Sequence, residues 1–401
     1  MDFEFSEEQK AYKKEVEAFI EANRDPEVMD ITRENMAQLV DTPKRRAFMK
    51  AIGQKGWLGM TWPKEYGGND GEGVYEYILN EALARVGAPQ IGKGVGIIGK
   101  TLIRRGSDKL KKEFLPKILE NDVEFAVGYS EPQAGSDAAA MTLKAVRTED
   151  GKGWLLNGCK IFTTSAHFAD WYWLGAKTDH NPETKKHKAI TLFLLPMDTP
   201  GLDIQRMPTI GDEITNQVFF TDVYADDEYR VGELNKGFQY ISEALDLERF
   251  TMFTFSPIEA RTELLCDYVK TNTLDGEPLK DDLVIRKTIA NLVTQLEVAR
   301  VLGLNFVAKS VKSERDGGPA PTCEASSYKL YSTELSQRVA NETLNIVGAG
   351  GQLRVHTDEA PLQGRGDITY RYTVIDTLGG GASEIQKNIL ARRKLGLPKN
   401  F

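Results

Sequence analysis

Three stretches of this 401-residue sequence carry residue types that could do chemistry. The first is DTLGGGASEIQKNILARRKLGLP, residues 376–398, where Gly379, Gly380 and Gly381 stop one element and open another. Successive glycines let a backbone approach another molecule closely and turn its N–H groups toward it. A plain glycine-rich helix entry with Ser383 as N-cap reads the same way. The second is ALDLERF, residues 244–250. Ile241, Leu245, Met252 and Phe255 form an apolar stripe at helical spacing, and the position missing from it is Glu248. A carboxylate in a buried stripe is unfavourable unless paired or functional. Burial raises its pKa, and a catalytic base can be tuned to roughly 6–7 in this way. The alternative is a structural ion pair with Arg249 or a distant lysine. The third is GYSEPQAGSD, residues 128–137. Pro132 and Gly135 enforce a turn there, which either presents hydroxyls and N–H groups to a heterocycle or is simply a turn.

The elements that must position these residues follow from periodicity. Residues 4–25 read as an amphipathic helix opened by Ser6, with Glu7 and Glu8 in its first turn. Further helical patterns cover roughly 43–55, 73–87 and 108–120, with an aromatic, glycine-rich connection at 56–68. Gly94-Val95-Gly96-Ile97-Ile98-Gly99 matches the GxGxxG dinucleotide pattern, but a helical run precedes it where the fingerprint requires a strand. These glycines are expected to allow close helix packing or to line a pocket wall. From about 121 the runs WLLNGCKIFTT, DWYWLGAKT, AITLFLLPM and NQVFFTDVYA predict an antiparallel β domain of six to eight strands, with NPETKKHK (181–188) as a polar hairpin loop. From Gly237 onward the chain reads as helical again, with 286–311 one long amphipathic segment. The order is that of an α+β protein with domains at 1–120, 121–236 and 237–401.

Hydrophobic content of 41% and charged content of 27% are those of a soluble globular protein. A net charge of −8 disfavours nucleic-acid binding and attachment to an anionic membrane. No run of eighteen apolar residues exists, and the acidic start MDFEFSEEQK resembles no leader peptide. Cys159, Cys266 and Cys323 lie far apart and the four histidines are scattered, so neither a disulfide framework nor a metal site is expected. The expectation is a cytoplasmic protein.

The 128–137 and 376–398 motifs resemble the signatures of the acyl-CoA dehydrogenase family, flavoproteins that desaturate acyl-CoA thioesters between the α and β carbons. The resemblance covers nearly the whole chain. It implies an N-terminal all-α domain, a middle antiparallel β domain, a C-terminal four-helix-bundle domain and FAD as cofactor. It further implies that Ser130 bonds the flavin ring and that Ser136 contacts the CoA chain. In KIFTTSAHFADWYWL (160–174) it implies that Phe162, standing where tryptophan is more frequent, packs on the flavin and that Thr164 bonds it. Arg286 and Thr288 of the RKT triplet match a phosphate- and ribose-binding set offered to the FAD of a neighbouring subunit. A forked, permanently charged guanidinium suits a pyrophosphate. Asn345, Gly348 and Ala349 in LNIVGAGGQLR (344–354) match the stretch over the adenine end, with Asn345 in place of the usual glutamine. Glu384, in the Ser-Glu-Ile-Gln run, joins the cofactor set, whereas Ala382 lacks the hydroxyl of the common threonine.

In many members a glutamate in the C-terminal loop is the base, and here Gly380 stands at that position. The isovaleryl-CoA dehydrogenase branch instead places its base on the helix at the position matched by Glu248. Asp246 and Arg249 match residues that contact acyl-CoA. The resemblance thus implies that Glu248 removes the α-proton, while the Gly380 N–H and a flavin ribityl hydroxyl polarise the thioester carbonyl. Electrons would pass through FAD to an electron-transferring flavoprotein, in a homotetramer or homodimer. A base on the helix opposite Gly379 and Gly380 widens the pocket, so a branched, cyclic or otherwise bulky acyl group is expected. An oxidase or eliminase on the same scaffold, or a partner subunit of a hetero-oligomer, are the other readings.

Overall fold

The computed structural model describes residues 4–32, 40–252 and 254–398, with side chains left undescribed at 245–252. Five helices come first: α1 (Glu7–Ala22), α2 (Pro43–Gln54), α3 (Gly73–Arg85), α4 (Lys100–Arg105) and α5 (Asp108–Leu119). Ser6 and Gln9 close a reciprocal capping box on α1, at 3.2 and 3.0 Å. The Gly94–Gly99 run is a π-helical turn leading into α4, with no strand before it among the described residues. A Cβ on Gly99 would lie 2.0 Å from the Trp62 ring, so the glycine is there for close packing.

Eight strands follow: β1 (Phe125–Gly128), β2 (Lys144–Arg147), β3 (Gly153–Lys160), β4 (Trp171–Lys177), β5 (Ile190–Pro196), β6 (Leu202–Pro208), β7 (Ile214–Asp226) and β8 (Arg230–Val231). They form one sheet in the order β6-β7-β3-β2-β4-β5-β8, with β1 beside β4. The sheet is not wholly antiparallel as expected: β1 runs parallel to β4, and β2 meets β4 through one parallel pair. The start of β1 is tied to the start of β4, which fixes that direction. Glu124 O accepts from the Asp170 and Trp171 N–H groups at 2.9 and 3.2 Å, and Glu124 N donates to the Asp170 carboxylate at 2.8 Å.

β4 and β5 are buried on both faces. Trp173, Leu192 and Leu194 face the N-terminal helices, whereas Tyr172, Leu174, Phe193 and Leu195 join a second core with Trp154, Leu156 and Val218. Two-sided burial is why these strands read as continuous apolar runs and not as alternating ones.

The last third is helical apart from a short hairpin pairing Thr273–Leu274 with Glu277–Pro278: α6 (Gly237–Met252), α7 (Ser256–Thr271), α8 (Leu283–Asp316), α9 (Thr322–Val347), α10 (Arg365–Asp376) and α11 (Ser383–Ile389). α9 packs against α7, α8, α10 and α11, while α6 lies on β5 and on the 94–99 turn. The sequence stripe through Ile241, Leu245, Met252 and Phe255 does not run along a single helix: α6 ends at Met252 and Phe255 is the N-cap residue of α7. Ser383 does not cap α11 either. It is the first helical residue, behind Ala382, and its buried Oγ has no partner among the described residues.

Candidate active site

The turn after β1 and the end of β3 are bound together. Glu131 and Lys160, both buried, form an ion pair at 2.8 Å, and Glu131 also accepts from the Leu143 N–H at 2.9 Å. Burial opposes ionisation of Glu131, but the Lys160 ammonium and these N–H groups hold its carboxyl below the ordinary range. Burial draws Lys160 down from its usual value. The pair sets Ser130 beside the strand end, where Ser130 O accepts from the Ile161 N–H at 3.0 Å. Sequence reading placed Glu131 in a motif but gave it no role. A lysine at the end of a buried strand, needing a partner, was the available signal.

Phe162 follows at once, with φ +57 and 62% of its surface exposed. A bulky residue in the left-handed region with its ring open is unfavourable twice over. The segment is locked there: the Thr163 N–H donates to Asn216 O at 2.9 Å and Asn216 Nδ2 donates to Thr163 O at 2.8 Å. Beside it the buried Thr215 hydroxyl has no partner among the described residues. An open ring, a half-buried Thr164 and an orphaned hydroxyl fit a flat, polar-edged group such as an isoalloxazine. Ser136 lies exposed further along the same turn.

Two contacts carry this surface to the helices. Lys93 Nζ donates to Phe125 O at 3.1 Å, to Ser165 Oγ at 3.1 Å and to Thr164 O at 3.4 Å, and the π-turn that follows Lys93 packs on α6. On the other side, the 209–213 turn docks on α10, where Arg371 bonds Asp212 at 2.7 Å and Ile210 O at 2.6 Å. Glu213 lies buried there; burial and then the Asp376 charge push its pKa up to about 7.

Asp376 leads into the glycine loop and accepts from Ser336 Oγ at 3.1 Å. Gly380 and Gly381 take φ +61 and +91, a region that favours glycine. Their carbonyls turn inward: Gln386 Nε2 donates to both, at 3.1 and 3.0 Å, and Lys329 Nζ donates to Gly381 O at 2.9 Å. Glu384 is exposed on the first turn of α11. α6 packs against α9, which carries Lys329. Glu248, Asp246 and Arg249 belong to α6, but their side chains lie outside the described residues.

Just beyond α6, the buried Glu81 of α3 accepts from the N–H groups of Phe255 and Ser256, at 3.2 and 2.9 Å, and from the Ser256 hydroxyl. A carboxylate from the N-terminal domain thus caps α7 where α7's own residues supply no side-chain cap. Burial pushes Glu81 up to about 7 against these hydrogen bonds.

The remaining cofactor candidates are not brought to this place. The Lys309–Glu324 pair at 2.6 Å and the Arg338–Gln295 bond set α8 and α9 antiparallel, so Arg286 and Thr288 stand level with Asn345, Gly348 and Ala349. All five are exposed save the half-buried Thr288. Asn345 lies sixteen residues beyond Lys329 along α9, about 24 Å at 1.5 Å per residue. A cleft of ≈ 840 Å³ lined by Trp62, Lys100, Arg104, Glu243 and Glu314 contains none of the candidate residues. No metal-binding cluster and no helix long and apolar enough to cross a membrane exist among the described residues.

Comparison with known proteins meets this geometry from outside. Three family models match consecutive parts of the chain: acyl-CoA dehydrogenase N-terminal domain at 6–122, middle domain at 126–223 and C-terminal domain at 235–395. Acyl-CoA dehydrogenase FadE26 of Mycobacterium tuberculosis is 32% identical over 359 residues, 88% of each chain. The structure of the Tcur3481-Tcur3483 steroid ACAD superposes over 100% of both chains, with a TM-score of 0.88 and 30% identity. The ChsE4-ChsE5 complex from Mycobacterium tuberculosis does so with a TM-score of 0.89 and 27% identity, again over 100% of both chains.

Proposed function

The chain belongs to the acyl-CoA dehydrogenase family of FAD-dependent oxidoreductases, and we propose that it desaturates a bulky acyl-CoA between its α and β carbons with Glu248 as base. One observation carries the reading. The loop of Gly379, Gly380 and Gly381 offers backbone N–H groups and no carboxylate, so the base must come from another element. α6 packs on the helix that holds this loop, and α6 carries Glu248.

FAD, when bound, accepts the β-hydrogen with its electron pair. The chain's own residues do the rest. Ser130, Phe162 and Thr164 orient the ring system. The Gly380 N–H donates to the thioester oxygen, which draws charge off the α carbon and acidifies its proton. The Glu248 carboxylate takes that proton. Ser136, Asp246 and Arg249 hold the CoA chain, and Glu384 steadies the cofactor from α11. Arg286, Thr288, Asn345, Gly348 and Ala349 serve the phosphate and adenine end. Their distance from the ring-facing surface favours service to the cofactor of a second chain, a copy or a partner subunit. An electron-transferring flavoprotein takes up the electrons.

The side-chain-free loop and the likeness to a steroid ACAD support a bulky, ring-bearing acyl group. A dye-linked turnover assay with a panel of acyl-CoAs tests this. The expected result is a higher kcat/KM for branched and polycyclic thioesters, and a strong preference for butyryl- or hexanoyl-CoA would overturn it.

A further inference from the structure

The glycine loop is gripped from behind. Gly380 O accepts from Gln386 Nε2, and Gly381 O accepts from both Gln386 Nε2 and Lys329 Nζ. Both side chains are completely buried. The peptide bonds are trans, and in a trans peptide the C=O and N–H point in opposite directions. Drawing the carbonyls of Gly380 and Gly381 inward therefore sends the N–H groups of Gly381 and Ala382 outward. Neither of these, nor the Gly380 N–H, has an acceptor among the described residues, whereas the flanking Gly379 and Ser383 N–H groups bond Ile375 O and Thr377 O at 2.8 and 3.0 Å.

Three consecutive donors without a described acceptor, on a backbone with two positive φ angles, form a cradle for an anion. The arrangement is held at a cost. Gln386 Oε1 is left buried with no partner among the described residues while its amide nitrogen serves two carbonyls. The fit is also tight, since a Cβ on Gly381 would lie 2.6 Å from Gln386 Nε2. A buried ammonium behind the loop adds positive potential where negative charge would gather in front.

We propose that Lys329 and Gln386 are positioning residues for the thioester oxygen: they fix the glycine loop so that the Gly380 N–H, with the outward Gly381 and Ala382 N–H groups beside it, meets the negative charge that builds as the α-proton leaves. The inference rests on the acyl-CoA reading of the site. It is tested with Lys329→Met and Gln386→Met in the flavin-loaded protein, with Lys329→Arg as the conservative variant. Turnover is measured with a thioester substrate, and calorimetry measures binding of an S-alkyl-CoA thioether that lacks the carbonyl. A misplaced donor of this kind can lower turnover by about 10²-fold. The expected result is a fall of that order in kcat for either Met variant, an unchanged thioether Kd and partial recovery in Lys329→Arg. Should one Met variant not fold, the other supplies the same readouts. Unchanged kcat, or thioether affinity that falls in step with kcat, overturns the proposal and leaves the acyl-CoA reading standing. Failure of the unsubstituted protein to turn over any acyl-CoA overturns both.

Discussion

The two ends of α9 make opposite use of the same helix. Toward its N-terminal end, Lys329 reaches the glycine loop, and the loop carbonyls, Asp376 and the Glu131–Lys160 pair beside Ser130 are all held by the chain's own groups. At its C-terminal end, Asn345, Gly348, Ala349 and the neighbouring Arg286 stand in the open. The proposed reacting end is thus organised by contacts within this chain. The other end presents the proposed phosphate- and adenine-binding set on an exposed surface, which supports a cofactor shared between chains.

Substitutions at the two ends should therefore fail in different ways. The largest effect is expected from Glu248→Gln, which should lower turnover by about 10²–10⁴-fold with flavin content unchanged. Near-normal turnover in that variant would break the comparison at its reacting end. Lys160→Met leaves Glu131 buried and unpaired, and a broken buried pair typically costs about 3–5 kcal/mol. Chemical denaturation should register that loss, and an unchanged midpoint would mean the pair does not organise the Ser130–Phe162 surface. Arg286→Ala should leave stability alone and weaken flavin binding by roughly tenfold, the weight of one charge-assisted hydrogen bond. Equilibrium dialysis measures this, and a parallel loss of folding stability would show that Arg286 acts within its own chain.

The smallest effect concerns pH. Glu81 rises from 4.5 to about 7 on folding, so the folded state binds the extra proton between those values. Stability contributed through this group is fully present below about pH 4.5 and declines as pH rises through 7. Glu81→Gln should flatten the slope of unfolding free energy between pH 5 and 7. An unaltered slope would remove Glu81 from the joint between α6 and α7.

Much of this was legible in the sequence, because helices and two-sided strands announce themselves locally. Ser6 with Gln9, the apolar runs of β4 and β5, and the glycine run before α11 each carry their signal within a few residues. What the sequence hid is long-range. The Glu131–Lys160 pair spans 29 positions, and β1 finds its parallel partner across the whole β2–β3 hairpin. The stripe through Phe255 misled because it cannot reveal that Glu81, from another domain, takes over the cap of α7. Ser383 looked like a cap by type, yet the Gln386 side chain had already claimed the loop beside it. Separating the phosphate-end residues from the ring-facing ones required the α8–α9 register, which rests on pairs such as Lys309–Glu324.

Whether this site desaturates an acyl-CoA is decided by anaerobic titration of the flavin-loaded protein with branched and ring-bearing acyl-CoAs, read in the visible absorbance band of the oxidised flavin. Stoichiometric bleaching together with formation of the 2,3-unsaturated thioester is the expected result. A flavin band that none of these thioesters bleaches would overturn the assignment.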